Sequence, residues 1–138
     1  MGRSRAAAAN AGRAMERGTA NYLASVVDDH IDRQVKTGSK DTGDVGGLRF
    51  HGHKIVVECK EVMTVDLPGW LREAEAEREN LKALAGVVVH RKRGDTLMEN
   101  QRVTMSLRDF ASLMVGRRVE PSEIRFGKPL PSQDGTAS

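Results

Sequence analysis

Asp44, Glu58 and Lys60 are the residues whose types and spacing could do chemistry together in this chain of 138 residues. Glu58 and Lys60 stand two apart at the end of the run KIVVECK, residues 54–60. Alternate side chains of an extended strand share a face, so this carboxylate and this ammonium emerge together. Asp44 lies on the preceding arm of an apparent hairpin and can come back beside them. Two carboxylates converging with a lysine suit a hard, oxygen-preferring cation such as Mg²⁺ and a phosphodiester.

The elements that must position these groups follow from periodicity and turn residues. In 54–60, Ile55, Val57 and Cys59 point one way and Val56, Glu58 and Lys60 the other. The run is apolar on both faces until its end, as in a strand covered on both sides. Glycines 43, 46 and 47 flank Asp44, and His51-Gly52-His53 reads as a tight turn. Upstream, Met15, Thr19, Tyr22, Leu23 and Val26 recur on one helix face from about Ala11 to Val27, with Glu16 at its edge. His30 to Lys36 alternates as a short strand. Downstream, Asp66-Leu67-Pro68 opens a helix. Trp70, Leu71, Ala74, Arg78 and Leu81 mark one face of that helix, and Gly86 is expected to end it. Glu73, Glu75, Glu77 and Glu79 alternate along the helix. Residues two apart on a helix do not face one another, so most of these acids are expected to be solvated; only Glu73–Glu77 and Glu75–Glu79 have a facing spacing. Val87 to Val89 then forms a strand that runs into His90-Arg91-Lys92-Arg93, and Gln101 to Met105 forms another. Ser106 caps a last helix, Leu107 to Val115, whose apolar stripe is Leu107, Phe110, Ala111 and Met114. This order predicts an α/β fold with a mixed central β-sheet flanked by helices. Residues 1–11 are expected as a basic flexible arm, 12–118 as one domain and 119–138 as an extended tail.

Asp44 followed by Glu58-Cys59-Lys60 resembles the D…(D/E)-x-K signature of the PD-(D/E)XK nuclease superfamily. Met15-Glu16-Arg17-Gly18…Tyr22-Leu23 resembles the first-helix element of the archaeal-type Holliday junction resolvases within it, and Thr37 to Asp44 resembles their serine-bearing loop. The resemblance implies a restriction-endonuclease-like core and a structure-selective DNA endonuclease that resolves four-way junctions by paired nicks, as a homodimer. It implies Mg²⁺, with Mn²⁺ as a substitute, held by Asp44, Glu58, the Cys59 carbonyl and Glu16, with Lys60 orienting the attacking water. Arg17, Lys36, Ser39, Lys40, Arg91, Lys92 and Arg93 would meet DNA, mainly at phosphates. The related resolvases usually carry a glutamine on the helix after the E-x-K strand, and Leu71 to Glu75 has none. Two alternatives stay open: a nuclease of the same fold acting on duplex or ends in repair or restriction, and a non-catalytic DNA-binding protein on a degenerate nuclease scaffold.

Composition sets the frame. Basic residues exceed acidic ones by 22 to 19, a mild excess that clusters in residues 1–15 and at Arg91-Lys92-Arg93 and suits a polyanion partner. With one Trp, one Tyr and three Phe, stacking platforms for single strands are scarce, which favours duplex or branched duplex DNA. The lone Cys59 has no partner for an internal disulfide and reads as a buried structural thiol. His51 and His53 match no usual zinc spacing and are expected at the surface. No apolar run approaches the ~20 residues of a membrane span. The expected setting is the cytoplasm of a bacterial or phage-infected host cell, with no membrane partner.

Overall fold

The structure is a computed structural model, which describes residues 4–34 and 43–127. In chain order the elements are α1 (Arg5–Val26), β1 (Asp32–Arg33), β2 (Val45–Gly46), β3 (Arg49–Phe50), β4 (His53–Lys60), α2 (Leu67–Leu81), β5 (Ala85–His90), a 3₁₀ turn at Met98–Asn100, β6 (Arg102–Thr104) and α3 (Leu107–Val115). Among the described residues the strands form a six-stranded sheet of order β1-β2-β4-β5-β6, with β3 paired to β4. The central pair, β4 and β5, is parallel, from Ile55 opposite Ala85 to Lys60 opposite His90. The other pairs are antiparallel. A parallel pair needs a crossover, and α2 supplies it. The expected α/β architecture with a mixed sheet and flanking helices is therefore present.

Alternation along β4 and β5 divides the core in two. On one face Val57, Cys59, Val87 and Val89 meet Met15 and Ala20 of α1, together with Ile31 and Val45. On the other, Val88 packs under Trp70 and Ala74 of α2. Val57 and Val88 are fully buried, each worth roughly 1.5–3 kcal/mol relative to exposure. Register is fixed at the start of β4 by a two-residue turn. Phe50 pairs with His53, and both His51 (φ 49°) and Gly52 (φ 81°) take the positive φ that tight hairpins favour. A slip of one residue here would send Glu58 to the α1 face.

Several expectations are corrected. Arg5 to Ala11, read as part of a flexible arm, are the first turns of α1, whose Ser4 cap accepts from the Ala7 amide at 3.1 Å. Residues 5–10 are all exposed, so they carry no burial period, while their alanines lose no side-chain freedom in a helix. The strand expected over His30–Lys36 is Asp32–Arg33 within the described residues. Helix α2 stops at Leu81 with Lys82 in a left-handed conformation, φ 54°. Gly86 does not end the helix; it lies inside β5, where a Cβ would come 2.7 Å from the Ala74 carbonyl oxygen. Its missing side chain lets α2 press onto the sheet.

Helix α3 turns its apolar stripe outward. Its Asp109 and Ser112 are buried, while Leu107 (81% exposed), Phe110 (48%) and Met114 (66%) face outward. Hydrogen bonds choose the face. Asp109 Oδ2 accepts from the Gly86 amide at 2.9 Å, and Asp109 Oδ1 from Arg118. Ser112 Oγ accepts from the Val119 amide at 3.0 Å. No helix among the described residues is long and apolar enough to cross a membrane.

Candidate metal centre

The C-terminal edge of the parallel pair gathers the acidic groups. Glu58 and Lys60 leave β4 on the α2 side, as alternation predicts. Asp44 immediately precedes β2, which runs antiparallel to β4 with Val45 opposite Val57. Its amide donates to the Val57 carbonyl and its Oδ2 accepts from the Cys59 amide, each at 2.8 Å. The backbone of the E-x-K strand thus orients the Asp44 carboxylate directly. Asp44 and Glu58 are 6% and 3% exposed.

A third carboxylate completes the cluster. Glu77, expected to be solvated, is 2% exposed on α2, and its carboxyl and that of Asp44 both act on the Glu58 carboxyl. Helix α2 buries Trp70, Ala74, Glu77 and Arg78, so Glu77 continues the apolar stripe one turn beyond Ala74. That register was the available signal in the sequence. The helix after the E-x-K strand does present a polar group to the cluster, beyond the Leu71–Glu75 segment.

Burial, followed by the hydrogen bonds and charges of Glu77 and Asp44, pushes the Glu58 carboxyl up to about 11. Like carboxylates in a dry site cannot all ionise unless a proton or a cation offsets them. The groups facing one another here are all carboxyls, the oxygen type that a hard divalent cation prefers. Lys60 Nζ lies 2.8 Å from Glu73 Oε2. Burial lowers its pKa, but the Glu73 hydrogen bond and the charges of Glu73, Glu58 and Asp44 outweigh this and keep it above its ordinary value. It stays cationic beside the cluster.

The other expected site residues have the following partners. Glu16 is on α1, and its Oε1 accepts from Arg33 Nε at 2.8 Å. The Cys59 thiol is buried against the α1 face and pushed up to about 12 by burial, with Thr19 opposing. It is a structural thiol, as expected, and its backbone amide serves Asp44. Arg17 pairs with Asp32 at 2.7 Å on the surface. Lys36, Ser39 and Lys40 lie outside the described residues. Arg91, Lys92 and Arg93 emerge at the end of β5, which is level with Lys60. They contact Glu61 (2.6 Å), Asp95 (3.4 Å) and the Met63 carbonyl (3.0 Å) respectively. His51 and His53 are exposed. Among the described residues, the group of three whose ligand atoms all lie within 4.8 Å of one another is Asp28, Asp29 and His30, which are exposed and already joined by surface ion pairs. No family model, curated protein or solved structure matches the chain.

Proposed function

We propose that this chain is a divalent-metal-dependent DNA endonuclease with a restriction-endonuclease-like, PD-(D/E)XK core, acting on four-way junctions. One observation carries the reading: Asp44 and Glu77 converge on a buried Glu58, with Lys60 on the same strand face. Such an edge, outside the carboxyl ends of parallel strands, is where open α/β sheets hold ligands.

Asp44, Glu58 and Glu77 would hold the metal, and Glu16 and the Cys59 carbonyl are the further oxygens expected from the sequence. Bound Mg²⁺ or Mn²⁺ supplies the charge that polarises a phosphodiester and makes water a nucleophile at neutral pH. The Cys59 amide keeps Asp44 from turning away, so little reorganisation accompanies the reaction. Lys60, balanced against Glu73, is positioned to exchange that exposed partner for a phosphate oxygen or the attacking water. Arg91 and Arg93, on the same edge, would receive neighbouring phosphates. Paired nicks in a nearly two-fold substrate match a C2 homodimer, and the outward apolar stripe of α3 is a surface that a second copy could cover.

Incubating the protein with end-labelled four-way junction, flap and linear duplex tests this reading. Symmetrically paired nicks in the junction are expected with Mg²⁺ or Mn²⁺ and not with EDTA, and Asp44→Asn should reduce the rate by roughly 10³-fold. Equal cutting of linear duplex would select the repair or restriction alternative. Salt-sensitive DNA binding without cutting would select the non-catalytic scaffold. Full activity in Asp44→Asn would overturn the assignment.

A further inference from the structure

Beyond Lys60 the chain leaves the sheet in a loop, residues 61–66, with an apolar tip on a fixed base. Val62, Met63 and Val65 are 50%, 53% and 58% exposed. Glu61, at the base, is buried and accepts from Arg91 Nε at 2.6 Å. The Met63 carbonyl accepts from Arg93 at 3.0 Å, and Asp66 caps α2 through the Gly69 amide at 3.1 Å. Two arginines and a helix cap therefore hold three apolar side chains out toward water. A small pocket of about 80 Å³ opens between this tip, Lys60, Trp70 and the two arginines.

Clustered exposed apolar side chains mark a contact surface. Here their flank is cationic, which calls for a partner joining apolar faces to negative charge. Bases between phosphates have that chemistry. Bases part most readily where stacking is already interrupted, and Met, Leu and Ile side chains are known to enter such steps while cations hold the backbone. Arg91 and Arg93 use only some of their N–H donors within the protein, leaving others for phosphates.

We infer that loop 61–66 is an unstacking wedge. Met63, supported by Val62 and Val65, inserts against the bases at a branch point, and Arg91 and Arg93 grip the flanking phosphates. With Val62 two residues from Lys60, the parted bases lie beside the carboxylate cluster, and preference for branched over linear DNA originates in this loop. The inference rests on the nuclease reading for its substrate, but its test does not need strand cutting.

A four-way junction carrying 2-aminopurine at the branch is titrated with protein in EDTA, and affinity is measured in parallel by gel shift. The unmodified protein should raise the fluorescence roughly twofold or more, with no rise on linear duplex. Met63→Ser, and more completely the triple change Val62→Ser, Met63→Ser and Val65→Ser, should abolish the rise while affinity stays within about threefold, because phosphate contacts carry the binding. Met63→Leu should retain the rise. The altered side chains are exposed, so thermal unfolding should be unchanged. A rise lost in the serine variants supports the wedge even if no strand is ever cut. Absence of a rise with the unmodified protein, or an equal rise with the triple variant, overturns it even if metal-dependent cutting is found.

Discussion

Asp109 and Glu58 are both buried acids, 4% and 3% exposed, yet they keep opposite company. Where α3 docks, Asp109 receives the Gly86 amide on one oxygen and Arg118 on the other. At the end of β4, Glu58 meets two further carboxyls, Asp44 and Glu77. The first arrangement fixes the side chain as a joint between helix and strand. The second stores unfavourable desolvation that a proton or a divalent ion relieves. Burial alone does not separate a structural acid from a reactive one; the charges facing it do.

The contrast is sharpest when each acid is removed in turn. Asp109→Ala leaves the Gly86 amide without its acceptor and Arg118 with only the Leu84 carbonyl and Glu75, and should lower unfolding stability by roughly 3–5 kcal/mol in a denaturant melt, with or without metal. A loss below about 1 kcal/mol would place Asp109 among ordinary surface pairs and dissolve the comparison.

Next in size is the response to the ion. Mg²⁺ at about 100 times its dissociation constant should stabilise the unmodified protein by roughly 2.7 kcal/mol. Glu77→Ala should lose most of that gain; an undiminished gain would remove Glu77 from the ligand set.

The last effect concerns protons. Glu58 is held protonated up to about 11 in the fold, against an ordinary value of 4.5 when the chain unfolds. Its contribution is whole below pH 4.5 and is lost as the pH rises toward about 11. Glutamine imitates the protonated form at every pH. Without metal, Glu58→Gln should therefore melt above the unmodified protein near pH 8, with the gap narrowing toward acid. A constant or reversed gap would show that Glu58 is ionised in the fold.

Much of this site was readable in the chain because strand alternation is a strict rule. The spacing of Glu58 and Lys60 fixed their common face, and the glycine-flanked return brought Asp44 level with Cys59. Glu77 escaped because its partners lie on a strand, and spacing within its own helix says nothing about them. Its place below Trp70 and Ala74 was visible, but an acid on an apolar stripe is ordinarily read as its edge. In α3 the stripe was legible and its direction was not. Gly86 and Arg118 decided which side turns inward, and both lie outside the helix whose pattern was being read. The first turns of α1 were silent for a simpler reason: nothing there is buried, so no period is imprinted.

Gly86 has no chemical group to offer, yet the site depends on how thin it is. Only 2.7 Å would separate a methyl group at this position from the Ala74 carbonyl oxygen, and Ala74 lies one turn before Glu77. Alanine there would act as a shim, levering α2 off the sheet and drawing the third carboxyl back from its neighbours. Assembly of the cluster is thus set partly by mechanical clearance, at a position that neither acid nor cation occupies.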